Sequence, residues 1–214
     1  MKVLIIGANG KIGQLLIEQM LEDKQHVPLA MVRKEEQAQR YQFQGVETVL
    51  VDLESSVEEI AEAARTCDAI IFTAGSGGST GPDKTLLIDL DGAVKAMEAA
   101  EQVGISRFVL VSALGAEDRN RWPDSIRPYY VAKHFADRIL ESTELIYTIL
   151  RPGGLLDDAG QGRVSLQTPG ESGSIPRADV AAVIAAVLDN PATFRKSYDL
   201  VSGSQTIEEA LPRA

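Results

Sequence analysis

The chain has 214 residues, 44% of them hydrophobic and 24% charged, which suits one well-filled α/β domain and is short for two. Its formal net charge of −10, with no basic block to offset it, argues against a nucleic-acid-binding or anionic-membrane surface. The single cysteine excludes an internal disulfide and suits a reducing compartment. With no apolar run of membrane-spanning length and no leader-like segment before the first strand, a cytoplasmic location is expected.

Val3-Leu4-Ile5-Ile6 is continuously apolar and largely β-branched, the pattern of a strand buried on both faces of a parallel sheet. Gly7, Gly10 and Gly13 follow at once, and then the apolar-periodic stretch LLIEQMLE. Strand, glycine turn and helix in that order predict a phosphate cradle. One glycine permits the tight turn, another lets the backbone approach a pyrophosphate, and a third lets helix and strand pack closely. The N–H groups at the helix start then face the anion. An ordinary glycine-rich βα turn is the competing reading, and the strand before and helix after disfavour it.

The spacing Gly7-x-x-Gly10-x-x-Gly13 differs from the G-x-G-x-x-G of many dehydrogenases. It resembles the atypical branch of the short-chain dehydrogenase/reductase superfamily, near its NmrA-like and biliverdin reductase B-like NAD(P)H-binding groups. The resemblance implies a Rossmann fold and a dinucleotide on the glycine turn, with Asn9, Lys11 and Ile12 beside Gly7, Gly10 and Gly13.

Residues 26–32 read as a second strand, with Pro28 near its start. An NAD-selective site would carry an acid about twenty positions past the glycines, for the ribose 2′-hydroxyl. Arg33 and Lys34 stand at the strand end instead. A guanidinium and an ammonium there suit a 2′-phosphate, so NADP(H) is expected over NAD(H). The bland alternative is a solvated cation pair opening the polar helix KEEQAQRY. Residues 47–53 form a third predicted strand ending in Asp52-Leu53, which the resemblance places at the adenine. Asp52 could equally cap the next helix, in competition with Ser55 and Ser56.

Residues 67–74 read as the fourth strand, with Cys67 a small buried residue at its start. The small-residue loop 75–79 follows, and by the resemblance Ala74 and Gly75 lie along the cofactor. A helix is predicted over 84–103 with Gly104 as its stop, then a fifth strand over 107–113. Strands alternating with helices throughout define the class: α/β, a doubly wound parallel sheet in three α/β/α layers, as one domain over 1–214.

The candidate chemistry follows the fifth strand. Ser112 ends it, where parallel sheets bind ligands. Tyr129 and Lys133, four apart on a helix opening at Pro128, share one face. By the resemblance Tyr129 exchanges the proton, Ser112 holds the substrate oxygen and Lys133 contacts the nicotinamide ribose. A phenol has an ordinary pKa of about 10, and a neighbouring ammonium is expected to pull it down. Tyr130 has the wrong spacing to share that face. Asp89 stands where many members of the superfamily carry an asparagine, a departure that puts their proton relay in doubt.

A sixth strand, 148–153, ends in Arg151-Pro152-Gly153. The resemblance sets Pro152 and Gly153 beside the nicotinamide, while Arg151 reads as an internal ion-pair partner. Residues 153–173, rich in glycine, are expected to be a lid, a substrate loop or a disordered insertion. Asp179 opens a helix, where the dipole is a sufficient reason for it. Residues 198–201 read as an edge strand and 207–211 as a terminal helix, so 153–214 supplies most of the substrate pocket. Trp122 either lines that pocket or covers the core. His26 and His134 are far apart in sequence, so no metal site is expected.

The expected activity is an NADPH-dependent oxidoreductase passing hydride to a small carbonyl, quinone or flavin acceptor. An NADP(H)-binding sensor is the first alternative, and a sugar epimerase or dehydratase the second. The short stretch after Pro152 leaves little room for the sugar-nucleotide part of the last. A homo-oligomer through the helix bearing Tyr129 is neither required nor excluded.

Overall fold

The computed structural model describes residues 1–78, 80–167 and 172–213. The apolar N-terminal run forms β1 (Lys2–Ile6), in which Val3 to Ile6 are fully or almost fully buried. Parallel neighbours β2 (Val27–Val32) and β4 (Ala69–Phe72) flank it, so both of its edges are hydrogen-bonded. Alternation sends its side chains to two cores. Val3 and Ile5 join one with α1 (Lys11–Asp23), α2 (Glu35–Phe43) and α7 (Arg177–Leu188). Leu4 and Ile6 join the other with α3 (Val57–Ala64), α5 (Gly92–Val103) and α6 (Arg127–Ser142). Each such side chain contributes about 1.5–3 kcal/mol on burial, which is why continuous apolar strands specify a sheet covered on both sides.

The remaining strands of the main sheet are β3 (Glu47–Leu50), β5 (Arg107–Val111), β6 (Ile146–Pro152), β8 (Arg163–Gln167), β10 (Lys196–Ser202) and β11 (Gln205–Thr206). Their spatial order is β11-β8-β10-β6-β5-β4-β1-β2-β3. Every pair from β3 across to β10 is parallel, and β8 runs antiparallel to both β10 and β11. The strand order reverses between β1 and β4, which opens a crevice beyond their carboxyl ends. This is the doubly wound Rossmann-type sheet that the alternation of elements predicts.

Several local expectations need correction. Residues 198–201 belong to an interior strand, because β8 and β11 extend the sheet beyond β10. The stretch 153–173 is built into the fold through β7 (Gly154–Leu156) and β8, and it leads directly into β9 (Ser174–Pro176). β7 and β9 form a small parallel pair of their own. Of that stretch, residues 168–171 lie outside the described residues, as does Ser79 of the 75–79 loop. The third strand stops at Leu50, leaving Asp52 and Leu53 in a turn. Ser56 is the α3 cap, its hydroxyl accepting from the Glu59 N–H at 3.3 Å. The fifth strand stops at Val111, one residue before Ser112.

The helix expected over 84–103 is three pieces: α4 (Pro82–Lys84), a π-helical segment (Thr85–Asp91) and α5. The wide turn is a feature often found at functional sites, and it carries Asp89. Gly104, at φ 77°, ends α5 as expected.

Candidate functional site

The glycine turn sits at the switch point, and its three glycines have different tasks. Gly7 has φ 93° and lies so close to the segment that follows β4 that a Cβ would stand 2.5 Å from the Ala74 nitrogen. A Cβ on Gly13 would collide with the Gly7 carbonyl and stand 2.8 Å from the Ala8 Cα, so Gly13 brings α1 against the turn. Gly10 is the α1 N-cap, with φ −73° and ψ 159°. A Cβ there meets only the Gly7 oxygen, at 3.1 Å, and otherwise points into open space. The turn is braced from α2, where the Tyr41 hydroxyl donates to the Ala8 carbonyl at 2.6 Å and Arg40 to the Asn9 side chain at 2.7 Å.

A cleft of about 1320 Å³ runs along this end of the sheet. It is lined by Gly7, Asn9, Gly10, Lys11 and Ile12, by Arg33, Asp52 and Leu53, and by Ala74 and Gly75. Ser112, Tyr129, Lys133, Pro152 and Gly153 line it too. The chain therefore brings together nearly all of the residues singled out from sequence. Two stand outside the lining. Gly13 acts on the turn from below, and Lys34 caps α2 with its backbone. Arg33 donates its backbone N–H to the Gln37 side chain at 3.2 Å and lines the cleft. The Asp52 carboxylate accepts the Glu54 N–H at 3.0 Å, holding the turn that presents Leu53. Leu53 in turn packs where Gly92 has no side chain. The open face at Gly10, the helix start behind it and the small residues Ala74 and Gly75 opposite fit a dinucleotide diphosphate.

The chemical end lies between β5, α6 and the π-helical segment. Tyr129 and Lys133 project from one face of α6, with the Lys133 ammonium 5.6 Å from the Tyr129 ring centre. Lys133 is buried, donates to the Val111 carbonyl at 3.3 Å and stands 3.2 Å from the buried Asp89 carboxylate. Asp89 is fixed by its other oxygen, which accepts the Ser76 N–H at 3.0 Å. Burial opposes the Lys133 charge, but Tyr129 and Asp89 outweigh it and raise its pKa above the ordinary lysine value.

For Tyr129 the expected lowering is overturned. Burial pushes its phenol above the ordinary value; Lys133 pulls the other way, and the Asp89 charge adds to the rise. Tyr130 is committed elsewhere, its hydroxyl donating to the Leu114 carbonyl at 3.2 Å.

Asp137 is a residue that sequence reasoning missed. It follows Lys133 by one helical turn, so Tyr129, Lys133 and Asp137 occupy a single stripe of α6. Its carboxylate accepts from Arg151 Nε at 2.8 Å, both partners being buried. Burial raises the Asp137 pKa, against the pull of Arg151 and the Ser112 hydroxyl. Arg151 is thus the internal ion-pair partner that its sequence position suggested. The signal that could have exposed Asp137 was its i+4 spacing after Lys133.

The mouth of the cleft holds a second unforeseen group. Asp157 pairs with Lys11 of the glycine turn and with Arg177 of α7. Asp179 corrects an expectation, because its carboxylate accepts the N–H groups of Gln161 and Gly162 at 3.0 and 2.8 Å. It anchors the loop before β8, a task beyond the helix dipole. Trp122 covers the α6 side of the cleft wall, donating to the Gly115 carbonyl at 3.1 Å and stacking on Tyr130.

Fold and cleft together define a Rossmann-type nucleotide-binding protein. The sequence profile of the NAD(P)H-binding family matches residues 7–191, and the chain belongs to that family. An uncharacterized sugar epimerase of Bacillus subtilis, YhfK, is 55% identical over the full length of both chains. The solved structure of the oxidoreductase ylbE from Lactococcus lactis superposes with a TM-score of 0.90 at 34% identity, covering 98% of this chain and 94% of that one. The anaerobilin reductase ChuY of Escherichia coli superposes with a TM-score of 0.83 at 29% identity, covering 96% and 99%. None of the helices among the described residues is long and apolar enough to cross a membrane.

Proposed function

We propose that this protein is an NADPH-dependent oxidoreductase that reduces a small carbonyl, quinone or flavin acceptor, with Tyr129 as the proton donor. The observation that carries the reading is the stripe of half-buried Tyr129 and buried Lys133, which together with Ser112 line the cleft that begins at the glycine turn. When bound, NADPH would supply the hydride that the acceptor takes up. Ser112 holds the acceptor oxygen, and the Tyr129 hydroxyl gives that oxygen its proton and recovers one from solvent through the cleft. A phenol kept protonated by burial suits donation at neutral pH. Lys133 would hold the nicotinamide ribose, Asp52 and Leu53 the adenine, and Pro152 and Gly153 would shape the pocket beside the nicotinamide. Arg33 supplies the charge for a 2′-phosphate, with no acid at the end of β2 to favour a bare ribose. ylbE and ChuY, named as an oxidoreductase and a reductase, support the same reading.

The name of YhfK favours a second reading, a sugar epimerase with tightly held NAD. That chemistry asks Tyr129 to rest as a phenolate base, which its buried surroundings oppose.

The test is NADPH oxidation against a panel of quinones, flavins and small carbonyl compounds, with wild type and Tyr129→Phe side by side and NADH as control. Turnover that prefers NADPH and falls about 100-fold or more in the variant is expected, the contribution of one positioned acid. Turnover indifferent to the phenol would retire Tyr129 as donor. Tight NADPH binding without turnover would leave a sensor, and isomerisation of a nucleotide sugar with NAD would establish the epimerase.

A further inference from the structure

The proton-donor reading of Tyr129 leaves Asp89 without a task, although it is among the most deeply buried charged groups of the site, 1% exposed. It lies on the π-helical segment, beneath the loop of Gly75 and Ser76. A Cβ on Gly75 would stand 3.2 Å from its Oδ1, so the loop passes close over the carboxylate. That oxygen faces Lys133. Where an asparagine amide could both donate and accept, a carboxylate only accepts and brings a full charge.

We propose that Asp89 is a positioning residue that holds Lys133 as its own ion-pair partner and thereby keeps Tyr129 a phenol, ready to donate its proton, well above neutral pH. The inference rests on the oxidoreductase reading for its use, though not for its test.

The half-buried Tyr129 lines the cleft with charged groups on more than one side. Tyr129 is faced by Lys133 and Asp137 from its own helix, by Asp89 from the π-helical segment, and by the edge of the Tyr130 ring. On the β5 side Lys133 donates to the neutral Val111 carbonyl. From β6, Arg151 is matched to Asp137 at 2.8 Å. Lys133 and Asp89 already sum to zero with a neutral phenol beside them. Removing the phenol proton leaves a net negative charge in a partly desolvated place, which is unfavourable. Without the Asp89 charge the same phenolate would close a neutral pair with Lys133. Burial is the largest influence raising the Tyr129 pKa, and the Asp89 charge adds to it against the pull of Lys133.

The experiment is a phenolate absorbance titration, with Tyr129 isolated as the difference between each protein and its Tyr129→Phe counterpart. The wild-type midpoint is expected above the ordinary tyrosine value of about 10. In Asp89→Asn it is expected to fall by about one pH unit or more, a tenfold rise in the phenolate fraction at fixed pH. Asp89→Glu is expected to keep the high midpoint. Where Asp89→Asn does not fold by circular dichroism, Asp89→Ser gives the same reading, since its hydroxyl is also uncharged. An unmoved or raised midpoint in the neutral variant overturns the proposal, as does an equal fall in Asp89→Glu, which would assign the effect to packing. The titration needs no turnover. A wild type that reduces none of the acceptors ends the oxidoreductase reading alone, and an unmoved midpoint beside normal turnover ends this inference alone.

Discussion

Gly10→Ala separates cofactor binding from folding at the glycine turn. The Gly10 backbone, φ −73° and ψ 159°, is open to any residue, and its added Cβ meets only the Gly7 carbonyl, at 3.1 Å. The turn must yield by a few tenths of an ångström, while the unfolded chain loses about 0.4–1 kcal/mol of conformational freedom in compensation. Stability should therefore change by less than about 1 kcal/mol, a Tm shift of roughly 2–4 °C at this size. The new methyl nevertheless stands where a diphosphate must touch the backbone, and a loss of about tenfold in affinity corresponds to only about 1.4 kcal/mol. Gly7→Ala and Gly13→Ala are expected to behave oppositely. One adds a strained φ of 93° to a 2.5 Å approach to the Ala74 nitrogen; the other drives a methyl into the Gly7 carbonyl. Overpacking and positive-φ strain each cost about 1–3 kcal/mol. Thermal melts and titration of NADPH by its nicotinamide fluorescence read the two quantities separately. Gly10→Ala binding NADPH like wild type, or Gly13→Ala melting like wild type, would refute the division of labour.

Arg33→Ala should lower NADPH affinity about tenfold or more and leave NADH affinity unchanged, the worth of a charge-assisted hydrogen bond; Lys34→Ala should leave the ratio alone, and a fall with both cofactors would refute the 2′-phosphate role. Arg151→Leu strands the buried Asp137 carboxylate and should cost about 3–5 kcal/mol in urea unfolding, much of it recovered in the Arg151→Leu/Asp137→Asn double variant; additive losses would disprove the coupling. Burial pushes the Cys67 thiol up to about 11 from its ordinary 9.0. Its thiolate fraction near pH 8 should then be about a hundredth of the normal value, and alkylation should be slow until the chain unfolds; equal rates in native and denatured protein would refute it. Because the thiol keeps its proton longer when folded, its contribution to stability is present below its ordinary value and lost as pH rises toward 11.

What the sequence disclosed was whatever depends on neighbours along the chain. β1 is a strand because Val3 to Ile6 leave no polar face, and Gly104 stops α5 because it accepts φ 77°. Ser112, Tyr129 and Lys133 could be placed because strand ends point at the crevice and an i+4 pair shares a helix face. The stretch 153–173 hid its strands for a local reason as well. β7 has three exposed residues, and β8 shows one fully buried side chain, Val164, so neither carries a strong alternation.

The charges were a different matter, because their partners are chosen by topology. Asp89 reaches Lys133 only through a π-helical turn packed on α6, and Asp137 finds Arg151 only because β6 lies beneath that helix. Nothing in the spacing of Tyr129 and Lys133 reveals that the lysine is already matched. An isolated ammonium beside a phenol lowers its pKa, and that is what the pair alone implies. With Asp89 at 3.2 Å the same ammonium is half of a neutral pair, and the phenol is left with burial as its dominant influence. Burial thus sets the direction of the shift at Tyr129, and a residue 40 positions earlier in the chain adds to it. A helix-face motif states which groups are adjacent, and the sum of buried charge around it states which of them holds the proton.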